Sequence, residues 1–199
     1  MEKHLPKYSI PERQIRAFFT KDFIRVYQAY SDEIADSAIK NNTFVSPPFS
    51  LTRMTWIKPS FLWMMYRSGW GKKDSNQTRI LAIDLSHDAF QKILHLGVPS
   101  DYHSASTFQN KEEWQDKIKN SDIIFQWDPE RDIHLNKLNY RTIQIGIRNQ
   151  AVINFCNEWI VNLHDITHQV QEIHNLVSLG DFCKAKALIP TEKTYHFQL

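Results

Sequence analysis

The stretch Arg53–Trp70, RMTWIKPSFLWMMYRSGW, carries the side chains best suited to holding a ligand. It contains three of the six tryptophans and three of the four methionines, with Arg53, Lys58 and Arg67 placed among them. Because burying an unpaired charge is costly, we interpret the stretch as a binding wall with cations and rings in front of an apolar body. Such a wall suits a nucleotide or a nucleic acid. The alternative is a core strand and helix whose Lys58 and Arg67 extend their charged ends to water.

A phosphate site is predicted at the middle of this stretch. Pro59 fits the first position of a helix, and the free N–H groups at a helix start bind anions. Arg53 and Lys58 would add positive charge, and Ser60 would add a hydroxyl group. Tyr66 or a tryptophan could stack on a base or on a nicotinamide ring.

Carboxylates recur in the segment Gln126–Asp132, QWDPERD. Acids around a proline commonly form a solvated turn with a local Glu–Arg pair. In the alternative interpretation, Asp128 or Glu130 lies at a cleft as a general base or as a ribose-binding carboxylate.

The segment Tyr140–Ile147, YRTIQIGI, alternates as a half-buried strand does. Its isoleucines would face one side, and Tyr140, Thr142 and Gln144 the other. A glutamine in that position is commonly a hydrogen-bonded edge residue.

Composition limits the possible classes of protein. A chain of 199 residues predicts one domain over 1–199, and five glycines without GxGxxG or GxxxxGK[ST] argue against a Rossmann fingerprint or a P-loop. The net charge of +2 neither demands nor excludes nucleic acid. Cys156 and Cys183 are expected to be free buried thiols, and His164 and His168 a solvated helical pair, so no metal site is predicted.

No secretory signal or membrane span is recognisable, so we expect a cytoplasmic protein with no membrane contact. The chain alone does not give its oligomeric state.

Periodicity predicts an α+β fold with an extended lead-in at 1–12 and a mainly helical part at 149–199. Within the latter, Val152, Phe155, Trp159 and Leu163 would form one helical stripe. The remaining elements are predicted as follows: strands at Arg13–Thr20, Phe23–Tyr30, Thr52–Ile57, Arg79–Leu85 and Ile123–Trp127, the last closed by a turn at 128–130, and helices after Ser31, Pro59, Ser86 and Asn110.

Taken together, YQAY, RMTWIKPSFLWMMYRSGW, QWDPERD and RTIQIGI resemble an uncharacterised bacterial and fungal family, a domain of unknown function. This resemblance covers roughly Arg13 to Val170 and implies no activity by itself.

A second resemblance, to the ADP-ribosyltransferase superfamily, rests on three segments. VYQAYSDEIADSAIKNNTF is similar to that superfamily's opening strand and helix, with Gln28 in place of its NAD-binding histidine. KPSFLWMMY and RTIQIGI resemble a cofactor-side segment and the catalytic-glutamate strand of its DNA-modifying members. The resemblance implies a mixed, split β-sheet flanked by helices, with Ser60 and Tyr66 beside NAD and Gln144 at the position of the glutamate.

A neutral Gln144 keeps a hydrogen bond to a ribose hydroxyl but cannot stabilise positive charge as nicotinamide leaves. Glu130 or Asp128 would then have to supply the carboxylate. The resemblance therefore implies a cleft that binds NAD or a related nucleotide and transfers ADP-ribose to nucleic acid or protein. The residues expected to line it are Tyr27, Gln28, Arg53, Lys58, Ser60, Tyr66 and Gln144.

Two other functions remain open. The chain could be a non-enzymatic module that binds single-stranded or duplex nucleic acid through stacking tryptophans and phosphate-contacting cations. Those cations would be Arg13, Arg16, Arg25, Arg53, Lys58 and Arg67. It could instead be an interaction protein whose late helices, Asn149–Ser178, form a dimer or partner face.

Overall fold

The computed structural model describes residues 11–105 and 108–196, so most of the predicted lead-in at 1–12 lies outside it. Its strands are β1 (Arg16–Ala17), β2 (Ile24–Tyr30), β3 (Thr55–Ile57), β4 (Arg79–Leu85), β5 (Val98–Pro99), β6 (Ile123–Arg131), β7 (Lys137–Ile147), β8 (Ile160–Asp165) and β9 (Lys193–Thr194). Its helices are α1 (Asp32–Asn41), α2 (Phe61–Ser68), α3 (His87–Leu96), α4 (Lys111–Asn120), α5 (Gln150–Asn154), α6 (Thr167–Ser178) and α7 (Phe182–Leu188). The predicted α+β class is confirmed.

Two sheets carry most of the strands. One has the antiparallel order β2-β4-β8, and the other has the order β3-β7-β6-β5, in which only the β5–β6 pairing is parallel. A short two-stranded ladder joins β1 to β9, from opposite ends of the described chain.

The two main sheets touch through one backbone bridge, between Tyr27 on β2 and Lys58 just after β3. The Tyr27 N–H donates to the Lys58 carbonyl oxygen at 2.8 Å, and the Lys58 N–H donates to the Tyr27 carbonyl oxygen at 3.2 Å. Beyond this point no ladder joins β2 to β3 within the described residues, so the strands separate and leave a gap.

Helix ends follow the sequence signals that predicted them. Ser60, Ser86 and Asn110 each accept a backbone N–H of the first turn of their helix, as N-caps do. Gly69 ends α2 in the left-handed conformation, with φ of 57°, where a side chain would be strained. The cap Ser31 differs, because its side chain accepts no capping hydrogen bond.

The turn predicted at Asp128–Glu130 is wrong. Strand β6 continues through Pro129 to Arg131, with a register shift between these two residues. Proline lacks an N–H and is tolerated where a bulge interrupts the ladder. The chain reverses instead at 132–136, where the Asp132 carboxylate accepts the backbone N–H groups of His134 and Asn136 at 2.9 and 2.8 Å.

The helical stripe predicted to end at Leu163 is also wrong, because Leu163 lies on β8. The helix α5 passes into a π-helical turn at Phe155–Trp159, and the chain then extends. The extended chain of β8 supplies backbone hydrogen-bond partners to the open edge of β4, where Leu163 pairs with Ile83. His164 therefore lies on a strand and His168 on α6, so the two do not form the predicted helical pair.

Smaller differences concern strand lengths and one thiol. The strand predicted at Arg13–Thr20 shortens to β1, and the one predicted at Thr52–Ile57 begins at Thr55. Both cysteines are free, but Cys183 is exposed whereas Cys156 is buried. No helix in the described ranges is long and apolar enough to cross a membrane.

A buried ion pair fastens the first sheet at its centre. Asp84 on β4 is 1% exposed and receives two hydrogen bonds from the Arg25 guanidinium, at 2.7 and 2.9 Å. The Nε2 of His164 on β8 lies 3.3 Å from the Asp84 Oδ2, the oxygen that also accepts the Arg25 Nη2. Asp84 thus links all three strands through side chains.

We expect Asp84→Ala to lower the free energy of unfolding by about 3 kcal/mol, because it leaves Arg25 charged and without its partner. Urea denaturation followed by circular dichroism measures the change. Asp116→Ala, on the exposed face of α4, is the matched control and should stay within about 0.5 kcal/mol of the parent. Equal, small losses in both variants would contradict this role for Asp84.

Candidate functional site

A cleft of about 700 Å³ occupies the gap where β2 and β3 separate. This volume lies in the range of small-molecule sites, about 300–1,000 Å³. Its lining combines amides, hydroxyls, cations and rings: Gln28, Ala29, Tyr30, Ser31, Ile34, Pro48, Phe49, Ser50, Arg53, Met54, Thr55, Trp56, Lys58, Met64, Arg67, Asp74, Asn76, Gln77 and Gln144.

The β2 wall presents a buried amide. Gln28 is 3% exposed, and its Nε2 donates to the Thr55 hydroxyl and, at 3.1 Å, to the Trp56 carbonyl oxygen. The Tyr30 hydroxyl shares the Thr55 hydroxyl at 2.7 Å. Among the described residues nothing hydrogen-bonds to the Gln28 Oε1, which is itself buried.

Lys58 places an amine deep in the cleft. The residue is 6% exposed, and its Nζ has one long contact, 3.4 Å to the Trp56 carbonyl oxygen, and lies 5.5 Å from the centre of the Trp63 ring. Burial, followed by the nearby Arg67 charge, lowers the pKa of Lys58 to about 7, although Asp128 opposes this shift.

The mouth of the cleft is cationic. Arg53 and Arg67 line it and are both exposed. Asp74 is the acid among the lining residues, so two guanidinium groups and Lys58 outnumber it. An anionic ligand is therefore favoured at this mouth over a cationic one.

The wall from the second sheet is polar and partly acidic. The Gln144 Nε2 donates to the Gln126 Oε1 at 3.0 Å across the β6–β7 pair. Asp128, two residues along β6, is half-buried, and burial raises the pKa of its carboxyl group while Gln144, Lys58 and two arginines lower it. Asp128 itself lies outside the lining, where the Gln126 Nε2 donates to its Oδ1 at 3.5 Å, and its charge favours the protonated form of Lys58.

The aromatic wall depends on a glycine. A Cβ at Gly146 on β7 would lie 2.9 Å from the Met54 sulfur and 3.0 Å from the Trp56 ring. Met54 and Trp56 both line the cleft. The absence of a side chain at Gly146 thus allows the Trp56 ring and the Met54 sulfur to lie close to β7.

Ser60 and Glu130 lie behind the cleft rather than in its lining. The Ser60 hydroxyl donates to the Glu130 Oε1 at 2.8 Å and accepts the Trp63 N–H at 3.2 Å. Glu130 is 3% exposed and also accepts the N–H of Arg131 at 2.8 Å. The Ser60 hydroxyl group, which the sequence analysis assigned to a phosphate, is therefore hydrogen-bonded within the protein.

The start of α2 already binds an anionic group of the protein. The Phe61 N–H donates to the Glu192 Oε1 at 2.6 Å. Glu192 belongs to the C-terminal segment, where Arg16 also holds its carbonyl oxygen at 2.9 Å. The predicted phosphate site at this helix start is therefore occupied by a carboxyl group.

The two tyrosines named from the sequence also lie away from the lining. Tyr27 is fully buried on the opposite face of β2 from Gln28, with its ring 5.5 Å from that of Phe61. Tyr66 is 42% exposed, and the Arg131 guanidinium carbon lies 3.4 Å from the centre of its ring.

The cations of the nucleic-acid hypothesis are divided by the fold. Arg25 is held by Asp84 and Arg16 by the Glu192 carbonyl, whereas Arg13, Arg53 and Arg67 are exposed. No group of three or more His, Cys, Asp or Glu residues in the described ranges is arranged to hold a metal ion.

Sequence reasoning brought Gln28, Arg53, Lys58 and Gln144 to one cleft but missed the loops that close it. Phe49 follows two cis prolyl bonds at 46–48, and Asp74, Asn76 and Gln77 form the opposite rim. The polar run after Gly71 was a usable signal for a rim, although its position depends on contacts distant in sequence.

Glu192 gives the site a measurable titration. Burial raises the pKa of its carboxyl group to about 8, so the folded protein binds more protons than the unfolded chain between pH 4.5 and 8. Stability due to this group is present at low pH and is lost as pH rises through that window. We expect the stability of Glu192→Gln, which keeps the acceptor for Phe61, to rise relative to the parent by roughly 3–4 kcal/mol from pH 5 to pH 8.

Urea denaturation at several pH values tests this, with Glu172→Gln on the exposed face of α6 as the control. Parallel stability curves for the parent and Glu192→Gln would contradict the shift. The lowered pKa of Lys58 makes the folded protein more stable as the pH rises above 7, which is opposite to the effect of Glu192. It does not mask the difference between the parent and Glu192→Gln, because Lys58 is present in both proteins.

Comparison with known proteins identifies the chain at the family level. No curated protein matches it. A family model described as a domain of unknown function, DUF4291, matches residues 14–195. That match includes both main sheets and every residue that lines the cleft. The chain therefore belongs to the DUF4291 family.

Proposed function

We propose that this protein binds NAD in the cleft between its two sheets and transfers ADP-ribose from it to an acceptor on nucleic acid or protein. The observation that carries the proposal is the convergence of Gln28, Arg53, Lys58 and Gln144 in one cleft. Gln28, Lys58 and Gln144 come from the three segments that carry the resemblance to ADP-ribosyltransferases, and Arg53 lies five residues before the second of these segments.

The chemistry of the lining supports a dinucleotide ligand. Arg53 and Arg67 at the mouth, with Lys58 deeper inside, suit a diphosphate. Trp56, which lines the cleft and is partly exposed, offers a ring for a base or a nicotinamide group to stack on. The unpartnered Gln28 Oε1 and the Gln144 amide suit ribose hydroxyl groups.

The transfer would proceed by displacement at the ribose carbon. The bond from that carbon to the nicotinamide nitrogen breaks, and nicotinamide leaves with the electron pair as a neutral molecule. An acceptor oxygen or nitrogen forms the new bond and releases its proton to solvent or to a base. Positive charge on the ribose peaks between these events, so a nearby carboxylate would accelerate the reaction.

Asp128 is the carboxylate best suited to that role. Neither carboxylate lines the cleft, but Asp128 is linked through the Gln126 side chain to Gln144 and its charge favours protonated Lys58, whereas Glu130 is hydrogen-bonded to Ser60. The amide at position 144 would then orient a ribose hydroxyl while Asp128 supplies the negative charge that glutamine lacks.

Calorimetry with NAD tests the binding step. We expect Arg53→Ala and Arg67→Ala each to weaken NAD binding about tenfold, because each removes a charged hydrogen-bond donor. Arg13→Ala removes an equal charge from an exposed arginine outside the lining and is the matched control. No NAD affinity in the parent protein, with or without an oligonucleotide acceptor, would overturn the proposal.

Nicotinamide release tests the chemical step. We expect Asp128→Asn to slow release by about a hundredfold, the cost of removing one electrostatic stabiliser, while NAD affinity changes little. Glu130→Gln is the matched comparison and should retain release in the fraction that folds. The reverse outcome, with release lost only in Glu130→Gln, would transfer the catalytic role to Glu130.

A non-enzymatic nucleic-acid module is the second candidate. The exposed guanidinium groups of Arg53 and Arg67 beside an aromatic wall favour it, since stacking platforms and cations together bind single strands. Oligonucleotide binding that weakens steeply with salt, without NAD affinity, would support this candidate over the enzyme.

A further inference from the structure

We propose that Lys58 is a nucleophile that condenses with the carbonyl group of a phosphorylated aldehyde held in the cleft, forming an imine. The proposal does not depend on NAD binding. It rests on the placement of one amine at the inner end of a cleft whose mouth is cationic.

The surroundings of the Lys58 amine favour its neutral form. No carboxylate of the described residues lies within 4.0 Å of its Nζ, although Lys58 is 6% exposed. Arg67 on α2 and Arg53 before β3 line the same cleft and oppose a third positive charge. Asp128 on β6 and Asp74 on the rim act in the other direction, yet the net effect lowers the pKa to about 7.

Desolvation beside other cations is an established way to activate an amine as a nucleophile. The backbone of Lys58 is held in place, because its N–H and its carbonyl oxygen are both hydrogen-bonded to Tyr27. To react, the Lys58 Nζ would give up one weak hydrogen bond, the 3.4 Å contact with the Trp56 carbonyl oxygen. The amine is therefore well placed and not consumed by an ion pair.

The rest of the cleft selects the partner. A phosphate group would bind Arg53 and Arg67 at the mouth, and Trp56 would stack on a planar body. The carbonyl carbon would then reach Lys58 farther in. The amine lone pair forms the C–N bond, the C–O bond breaks, and one water leaves with the carbonyl oxygen and both amine hydrogens.

Pyridoxal 5′-phosphate is a suitable probe, since it is a planar aldehyde that carries phosphate. The protein is incubated with it, the imine is reduced with cyanoborohydride, and the modified peptides are mapped by mass spectrometry. We expect Lys58 to be labelled at least about tenfold faster at pH 7.5 than the exposed Lys73 and Lys119, since ordinary lysines are almost wholly protonated there. Pyridoxal without phosphate should label Lys58 about tenfold more slowly.

The pH profile and variants complete the test. Labelling of Lys58 should reach half its maximum near pH 7. Arg67→Ala should weaken the preference for the phosphorylated probe, and Lys58→Met should lose the cleft adduct. Mapping on the parent protein does not depend on how the variants fold. Labelling spread evenly over exposed lysines, or an unlabelled Lys58, would overturn the proposal.

Discussion

The backbone bridge between Tyr27 and Lys58 is the contact on which the rest of the site depends. Two hydrogen bonds join the sheets there, and the cleft exists because β2 and β3 separate beyond them. Side chains that follow the bridge on β2 and precede it on β3 must face one another across the gap. Sheet geometry thus brings Gln28, Thr55 and Trp56 together, although the segments are far apart in sequence.

Electrostatics then distinguish the inside of the cleft from its mouth. Lys58 is buried and tends to lose its proton, while Arg53 and Arg67 stay charged in water. An anion arriving at the mouth would meet fixed positive charge, and would also favour protonation of the amine farther in. One cleft therefore contains fixed positive charge that attracts an anion and an amine whose charge would depend on whether that anion is bound.

Local signals in the sequence predicted much of this arrangement. Apolar alternation and N-cap residues predicted the positions of β2, β4 and α1–α4, because those elements are determined mainly by residues within or next to them. Alternation also bears on Tyr27, since neighbours on a strand face opposite sides, so Tyr27 and Gln28 could not both line one cleft. The rest was decided at long range. The strand through Pro129 needed β7 as its partner, Leu163 became extended to pair with β4, and Ser60 was engaged by Glu130, 70 residues away.

The contact between Glu192 and the start of α2 has a consequence for how the protein is made. All residues that line the cleft lie between positions 28 and 144, so they leave the ribosome well before Glu192. The Phe61 N–H stays without its carboxyl partner until residue 192 emerges and β9 pairs with β1. During synthesis, the start of the helix that carries Arg67 can therefore gain this carboxyl partner only after every residue that lines the cleft has been made.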